Sequence, residues 1–321
     1  MSDAPNAKPN ATDTVEKGES LWVGAWYRLR KNKMALAGGV FILLLAGLSF
    51  IGPFFLEGDY YTNTVLEDKL TAPGGEYTLG SDHLGRDQLG RIIKGGQISL
   101  LVGLVATFVS LTIGIGYGTI SGYFGGKIDS VMMRIVDILY SLPFVIFVIL
   151  LMVFAKDLGD SIDEWFRARG SEFSISGQWN MLLLFVAIGA VEWLTMARIV
   201  RGQVMSLRQQ EFIEACISLG LPTHRILFRH MVPNILGPVI VYTTLTIPAV
   251  MLLEAFLSFL GLGVQPPTPS WGLLIKDGAD RMREAWWMLV FPGALFAITL
   301  FSFNFVGDGL RDALDPKTSK D

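Results

Sequence analysis

The sequence predicts an all-α integral membrane protein with six transmembrane helices. Three observations carry the prediction. The chain has 321 residues, is 51% hydrophobic and only 17% charged, and its mean hydropathy of +0.46 is too apolar for a soluble chain of this length. Six apolar segments, at 34–56, 98–122, 128–155, 180–199, 235–260 and 285–306, each reach the roughly 20 residues that a helix needs to cross a bilayer. The basic residues also gather on alternate connections, as they do between membrane spans.

Taken in order, residues 1–33 form a tail and an interfacial segment. The first twenty are polar with no apolar stretch of the signal-peptide kind, so a disordered cytoplasmic tail is expected. Lys8, Lys17, Arg28, Arg30, Lys31 and Lys33 lead up to the first span at 34–56, and Trp22, Trp26 and Tyr27 suit the headgroup level. Residues 57–97 form an outer loop with the turn-rich run TLGSDHLGRDQLGR. Its Asp82 and Arg86, four apart and followed by Asp87, predict an ion-paired helix start. Residues 98–310 hold the other five spans, an outer loop at 156–179 whose SIDEWFRARG predicts a short amphipathic helix, and an inner loop at 200–234. VQPPTPSWG predicts a stiff turn before the last span, which Trp286 and Trp287 open. Residues 311–321 are a cytoplasmic tail.

Orientation follows from charge. With the N-terminus inside, six spans leave the C-terminus inside as well, and inner segments carry 16 of the 26 Lys and Arg against 10 outside. Acids divide the other way, with 15 outside and 12 inside.

Composition also excludes several functions. Net charge is −3, so no basic excess points to nucleic acid. Cys216 is the single cysteine, and His83, His224 and His230 are scattered, so neither a disulfide framework nor a metal site is expected. The run GYFGGKI superficially resembles a phosphate loop but fails the pattern, with Ser121 where the first glycine belongs and Ile128 where Ser or Thr must follow Lys127. Internal repeats and paired broken spans, the marks of many secondary carriers, are not visible. Gly114, Gly118, Gly122 and Gly126 recur every fourth residue and predict one glycine face for close helix packing. Pro143, Pro238, Pro248 and Pro292 interrupt spans and predict kinks. Glu192 and Glu254 lie inside spans, where an ionisable group is costly; each is expected to face the pore or to serve a partner.

The inner loop carries the most information. Phe212, Ile213, Cys216 and Leu219 fall on one face of a short helix at helical spacing, with Glu211, Glu214 and Ser218 on another. Gly220 predicts a left-handed C-terminal cap, and Pro222 the first turn of a second helix that ends before Pro233. A helical hairpin tethered to the bilayer at both ends fits three roles: DNA binding, which the tether disfavours; lying on lipid; or docking a soluble partner.

Here the sequence resembles a known family. Glu214, Ala215, Gly220 and Pro233 match the EAA loop of ABC importer permeases, EAA-x3-G-x9-I-x-L-P, with Cys216, His230 and Val232 as departures. The segments LGSDHLGRD, ISLLVG, SGYFGGKIDSVMMRIVDIL, ARIVRGQVMSLRQQEFIEA, LSFLGLGVQPPTPSWG and FNFVGDGLRDALDPK resemble, in order, the dipeptide/oligopeptide/nickel branch, and within it the C-type subunits of oligopeptide permeases. The resemblance implies a type I ABC importer permease in the inner membrane, non-catalytic and without a cofactor of its own. It implies a homologous second permease, two cytoplasmic ATPase subunits that use ATP and Mg, an external peptide-binding protein, and a peptide substrate. It assigns ATPase docking to the loop bearing Glu211, Phe212, Glu214, Ala215, Cys216, Leu219, Gly220, Pro222 and Pro233. A nickel or dipeptide permease is the neighbouring alternative, and the lack of intramembrane His or Cys clusters speaks against nickel. A stand-alone carrier would have no use for the docking loop.

Overall fold

A computed structural model describes residues 21–56, 58–170 and 176–314; the N-terminal tail, the C-terminal tail and part of the second outer loop lie outside them. Eleven α-helices are present among the described residues. They are α1 (Leu21–Lys31), α2 (Lys33–Ile51), α3 (Gln88–Phe124), α4 (Gly126–Ser141), α5 (Phe144–Arg167), α6 (Ser176–Arg208), α7 (Glu211–Ser218), α8 (Thr223–Arg225), α9 (Val232–Phe259), α10 (Trp271–Asp280) and α11 (Trp287–Leu314). A 3-10 turn, Gly52–Phe55, extends α2, and a π-helical turn, Ile226–Met231, joins α8 to α9.

Helix starts follow local chemistry. The Asn32 carboxamide oxygen accepts from the Met34 and Ala35 amides at 3.1 Å, so α2 begins one residue after α1 ends. Asp87 does the same for α3 through the Gly90 amide at 2.8 Å.

Glycine contacts fix the topology. Along α3, Ala106 meets Gly189 of α6, Gly118 meets Ala197 and Val200, and Gly122 meets Arg201 and Val204. Residue numbers rise together, so α3 and α6 run parallel. The chain between them, α4 and α5, therefore crosses back once, although the two helices meet at 97° around Pro143. That bent pair occupies the span expected at 128–155, with the break at Pro143, where a kink was expected, amounting to a sharp bend between two helices. α2, α3, α6, α9 and α11 are each long and apolar enough to cross a membrane, and the bent pair taken as one span makes six. On α2 and α11 the contacts run antiparallel, Gly38 against Ser302 and Gly309 against Ala35, and the Arg28 guanidinium donates to the Ala313 carbonyl at 2.9 Å. Both ends of the described chain thus lie on one side of the bundle, with α7 and α8. We term this the hairpin side and its opposite the far side.

Gly126 is a correction to the glycine face. Gly125 caps α3 with φ +63 and Gly126 opens α4 with φ +55, where an added Cβ would meet open space. Gly114, Gly118 and Gly122 do abut α6, joined by Gly189. A Cβ on Gly118 would sit 2.5 Å from the Ala197 carbonyl oxygen, whereas one on Gly116 would meet nothing within 4 Å. Gly118→Val should therefore cost about 1–3 kcal/mol or more by overpacking, while Gly116→Val stays close to neutral. Thermal unfolding of the two purified variants in detergent checks the contrast; equal midpoints would contradict the packing.

Two further differences arise beyond the spans. SIDEWFRARG is not a separate helix, because α5 continues through Arg167. Trp287 opens the last span as expected but differs from Trp286 in being buried: it is 5% exposed and its indole N–H donates to the Ser81 carbonyl at 3.1 Å.

Candidate functional site

The hairpin grows directly from α6. After Arg208 the chain turns through Gln209 and Gln210, and the Gln210 carbonyl accepts from the Ile213 and Glu214 amides. Glu211 and Glu214 fall in the first turn of α7, where negative charge suits the helix dipole. At the other end the Leu221 amide reaches the Cys216 carbonyl at 3.2 Å and the Gly220 amide reaches the Ile217 carbonyl at 2.9 Å. Gly220 has φ +72. This is a Schellman cap, and a left-handed residue is what closes it. Pro222, at φ −66 and ψ 142, precedes α8 as its N-cap rather than opening its first turn.

The hairpin has a bonded base and a free crest. Ile213, Ile226 and Met231 are at most 1% exposed, and they cluster with Met196, Val200 and Val204 of α6 and Ile235 and Val239 of α9. Leu111, Ile115 and Tyr123 of α3, with Cys216 and Leu221, complete that cluster. On the crest, Phe212, Ile217, Leu219 and Phe228 are 39%, 45%, 79% and 70% exposed. Glu211, Glu214, Ala215, Gly220 and Pro222 are exposed beside them.

The single apolar face expected from spacing is therefore split. Ile213 and Cys216 point into the bundle while Phe212 and Leu219 point out. The reason is tertiary: one flank of α7 packs on α6 and the π turn, and Phe212 and Leu219 lie off that flank. The second helix does not end at Pro233 either. It runs through the π turn into α9, where Pro233 occupies the first turn, a position that needs no amide donor. Ile217 and Phe228 belong to the crest and were not singled out by sequence. Their signal was available, since each is an apolar residue next to inward-facing ones at the wrong helical phase.

Glu254 faces no pore. It is fully buried, and its Oε1 accepts from Ser258 at 2.6 Å and from Ser270 at 2.7 Å. Ser270 caps α10, and the Trp271 amide beside it donates to Ser99 of α3. Glu254 thus fastens α9 to α10 through Oε1, with Ser258 one turn along the same helix and Ser270 supplied by the loop that caps α10. Glu192 is half-buried on α6.

The far side has its own ionic centre, which contains the expected Asp82–Arg86 pair in the turn just before α3 and extends it. Asp82 is fully buried in a turn: Oδ1 accepts from the Leu84 and Arg86 amides, and Oδ2 from Arg86 at 2.7 Å and Arg91 at 2.5 Å. Arg91 also reaches Asp277 at 3.4 Å. Burial would raise the Asp82 carboxyl, but the two guanidiniums and the Arg86 amide outweigh it and hold it below the usual carboxylate range. The adjacent His83 is pushed down by burial.

The hairpin thus stands on one end of a helical membrane bundle, with its base packed against three of the membrane-crossing helices. Residues 114–320 match the family model of the binding-protein-dependent transport system inner membrane component, and the chain belongs to that family. Residues 20–73 match the N-terminal TM domain of oligopeptide transport permease C. The oligopeptide transport system permease protein OppC of Escherichia coli K12 is 48% identical over 96% of this chain and 95% of its own length. The OppC of Bacillus subtilis is 41% identical over 98% and 96%. The dipeptide transport system permease protein DppC of Bacillus subtilis is 41% identical over 97% and 90%. Among solved structures, an inward-facing MetNI methionine ABC transporter aligns with TM-score 0.53 over 70% of this chain and 96% of its own at 18% identity, which shows the type I importer permease fold.

Proposed function

We propose that this chain is the C-type permease subunit of an ATP-driven oligopeptide importer. It forms half of the translocation pore with a homologous second permease. Two cytoplasmic ATPase subunits, which use ATP and Mg, power it, one of them taking the hairpin of this chain into a cleft, and an external binding protein delivers the peptide. The hairpin side is then the cytoplasmic side. The observation that supports this reading best is the division of the hairpin. Its crest leaves Phe212, Ile217, Leu219 and Phe228 uncovered, while its base is packed into three spans, so force on the crest moves α3, α6 and α9 together.

The choice of oligopeptide over dipeptide rests on the match of residues 20–73. The Bacillus subtilis oligopeptide and dipeptide permeases are equally similar to this chain, which keeps dipeptides as the second reading. Affinity purification of the full chain from its native membrane in mild detergent, with mass spectrometry of what accompanies it, is the test. Two Walker-motif ATPases and a second six-span permease are expected. Recovery of the chain alone or as a homodimer would overturn the reading.

A further inference from the structure

α4 is attached to the molecule in an unusual way. Of its sixteen residues only Asp129 and Val136 are buried, while Ile128, Val131, Ile135 and Ile138 are 47–61% exposed. Apolar packing within this chain therefore does little to hold it. Each end is a joint. On the hairpin side Gly125 and Gly126 both take positive φ, and at the other end Pro143 separates α4 from α5 at 97°.

What holds α4 is a set of polar contacts: the Tyr117 hydroxyl of α3 donates to the Met132 carbonyl at 2.8 Å, and α6 supplies the charged ones. The Arg201 guanidinium grips Asp129 with two nitrogens, each at 2.5 Å, and the Ser121 hydroxyl of α3 donates to the same carboxylate. This pair is partly shielded, with Arg201 31% and Asp129 12% exposed. Bidentate geometry fixes orientation as well as distance. Farther along, Arg198 donates to Asp137 at 2.8 Å and lies over the Tyr140 ring at 4.2 Å, and the Tyr140 hydroxyl meets Thr195. Arg208 closes the series, with its guanidinium 5.6 Å from the Tyr123 ring centre and next to Gly125. Arg198, Arg201 and Arg208 share one face of α6 at helical spacing. Three residues beyond Arg208, α7 begins.

We propose that α4 is a hinged arm and that the Asp129–Arg201 pair, seconded by Asp137–Arg198, is the clamp that makes it follow α6. Asp129 and Arg201 are positioning residues. Displacement of the hairpin moves the end of α6, and the clamp carries that displacement into α4 and the bent crossing it forms with α5. An apolar interface would slide at this point. A two-nitrogen ion pair resists sliding but still permits rotation about the glycine joint. The transport consequence rests on the docking role proposed for the hairpin, whereas the clamp itself does not.

The test uses the assembled transporter in lipid vesicles, carrying Asp129→Arg, Arg201→Asp or both exchanges together. Peptides taken up per ATP hydrolysed should fall about tenfold in each single variant and return to within about threefold of the unmodified complex in the double exchange, since the pair is restored with its charges swapped. A purely structural contribution would lower assembly without changing that ratio. Spin labels on exposed Ile135 and Met205, in a Cys216→Ser background, should give a narrow distance distribution in the unmodified chain. It should broaden in the single variants and narrow again in the exchange. An unchanged ratio and distribution in the single variants, or no recovery in an assembled double exchange, would overturn the clamp. If a single reversal fails to assemble, Asp129→Asn, which keeps an acceptor for Ser121, replaces it in both measurements with the same outcomes. Gly220→Pro and Glu214→Ala run in parallel separate the two ideas: normal transport in both removes the docking reading, while the label distances still decide the clamp.

Discussion

Gly220→Pro is expected to cut peptide uptake at least about tenfold while the chain still inserts and assembles. Proline holds φ near −65° and has no amide hydrogen. Gly220 sits at φ +72 and its amide closes the cap on the Ile217 carbonyl. Both requirements fail together, so α7 can no longer turn into α8 by this route, and the crest changes its angle to the base. Gly220→Ala separates the two effects. It keeps the amide and meets open space, so only the left-handed backbone opposes it, at about 1 kcal/mol. A milder loss is expected. Glu214→Ala makes a different intervention, since Glu214 is exposed and lies outside the packed base. It should leave the hairpin intact yet impair coupling through the lost crest carboxylate. Uptake and ATP hydrolysis are measured in vesicles, with insertion checked by protease protection. Normal uptake by both Gly220→Pro and Glu214→Ala would remove the coupling role from this loop.

Much of the fold was legible because bilayer physics leaves few options. A run of about twenty apolar residues must be helical, since backbone polar groups in lipid have no other partner. Five of the six expected segments became single helices on this ground alone. The exception, 128–155, looked like the others in composition, yet Pro143 lies where α4 and α5 bend. Sequence flagged Pro143 as a kink but could not supply the angle, which depends on how α5 packs against α6. Gly220 was readable because left-handed backbone has few occupants. Gly126 was misread because a four-residue spacing does not reveal that Gly125 had already ended the helix.

The polar centres were the least legible. Spacing paired Asp82 with Arg86, and the structure retains that pair, but Arg91 and Asp277 complete the group from α3 and α10. Glu254 stood open between a pore-facing and a partner role, because the hydroxyls that bind it, Ser258 and Ser270, are common residues that give no sequence signal. In each case a local pattern named one member, and three-dimensional closure chose the rest.

The same closure makes Asp82→Ala the most damaging single change expected on the far side. Removing this carboxylate leaves Arg91, 2% exposed, beside Arg86 with only the longer contact to Asp277, and leaves the Leu84 and Arg86 amides without an acceptor. Breaking a buried pair from one side costs about 3–5 kcal/mol. Asp82→Asn should cost less, because it keeps an acceptor oxygen while losing the charge. The sign of the pH dependence follows from the depressed carboxyl. Its contribution is fully present above the unfolded value of 3.8 and disappears as pH falls through the lower folded value, so no change is expected between neutral pH and about pH 5. Two built-in reporters localise the damage. Trp287 bonds to the Ser81 carbonyl beside Asp82, so its emission, taken as the difference from a matched Trp287→Phe background because the chain has eight tryptophans, should shift to the red. Cys216 is the single cysteine and is half-buried in the hairpin base on the opposite side. Its alkylation rate should stay at the unmodified level at temperatures where the Trp287 signal has already changed. Simultaneous loss of both signals would show instead that the Asp82 centre supports the whole bundle rather than the far side.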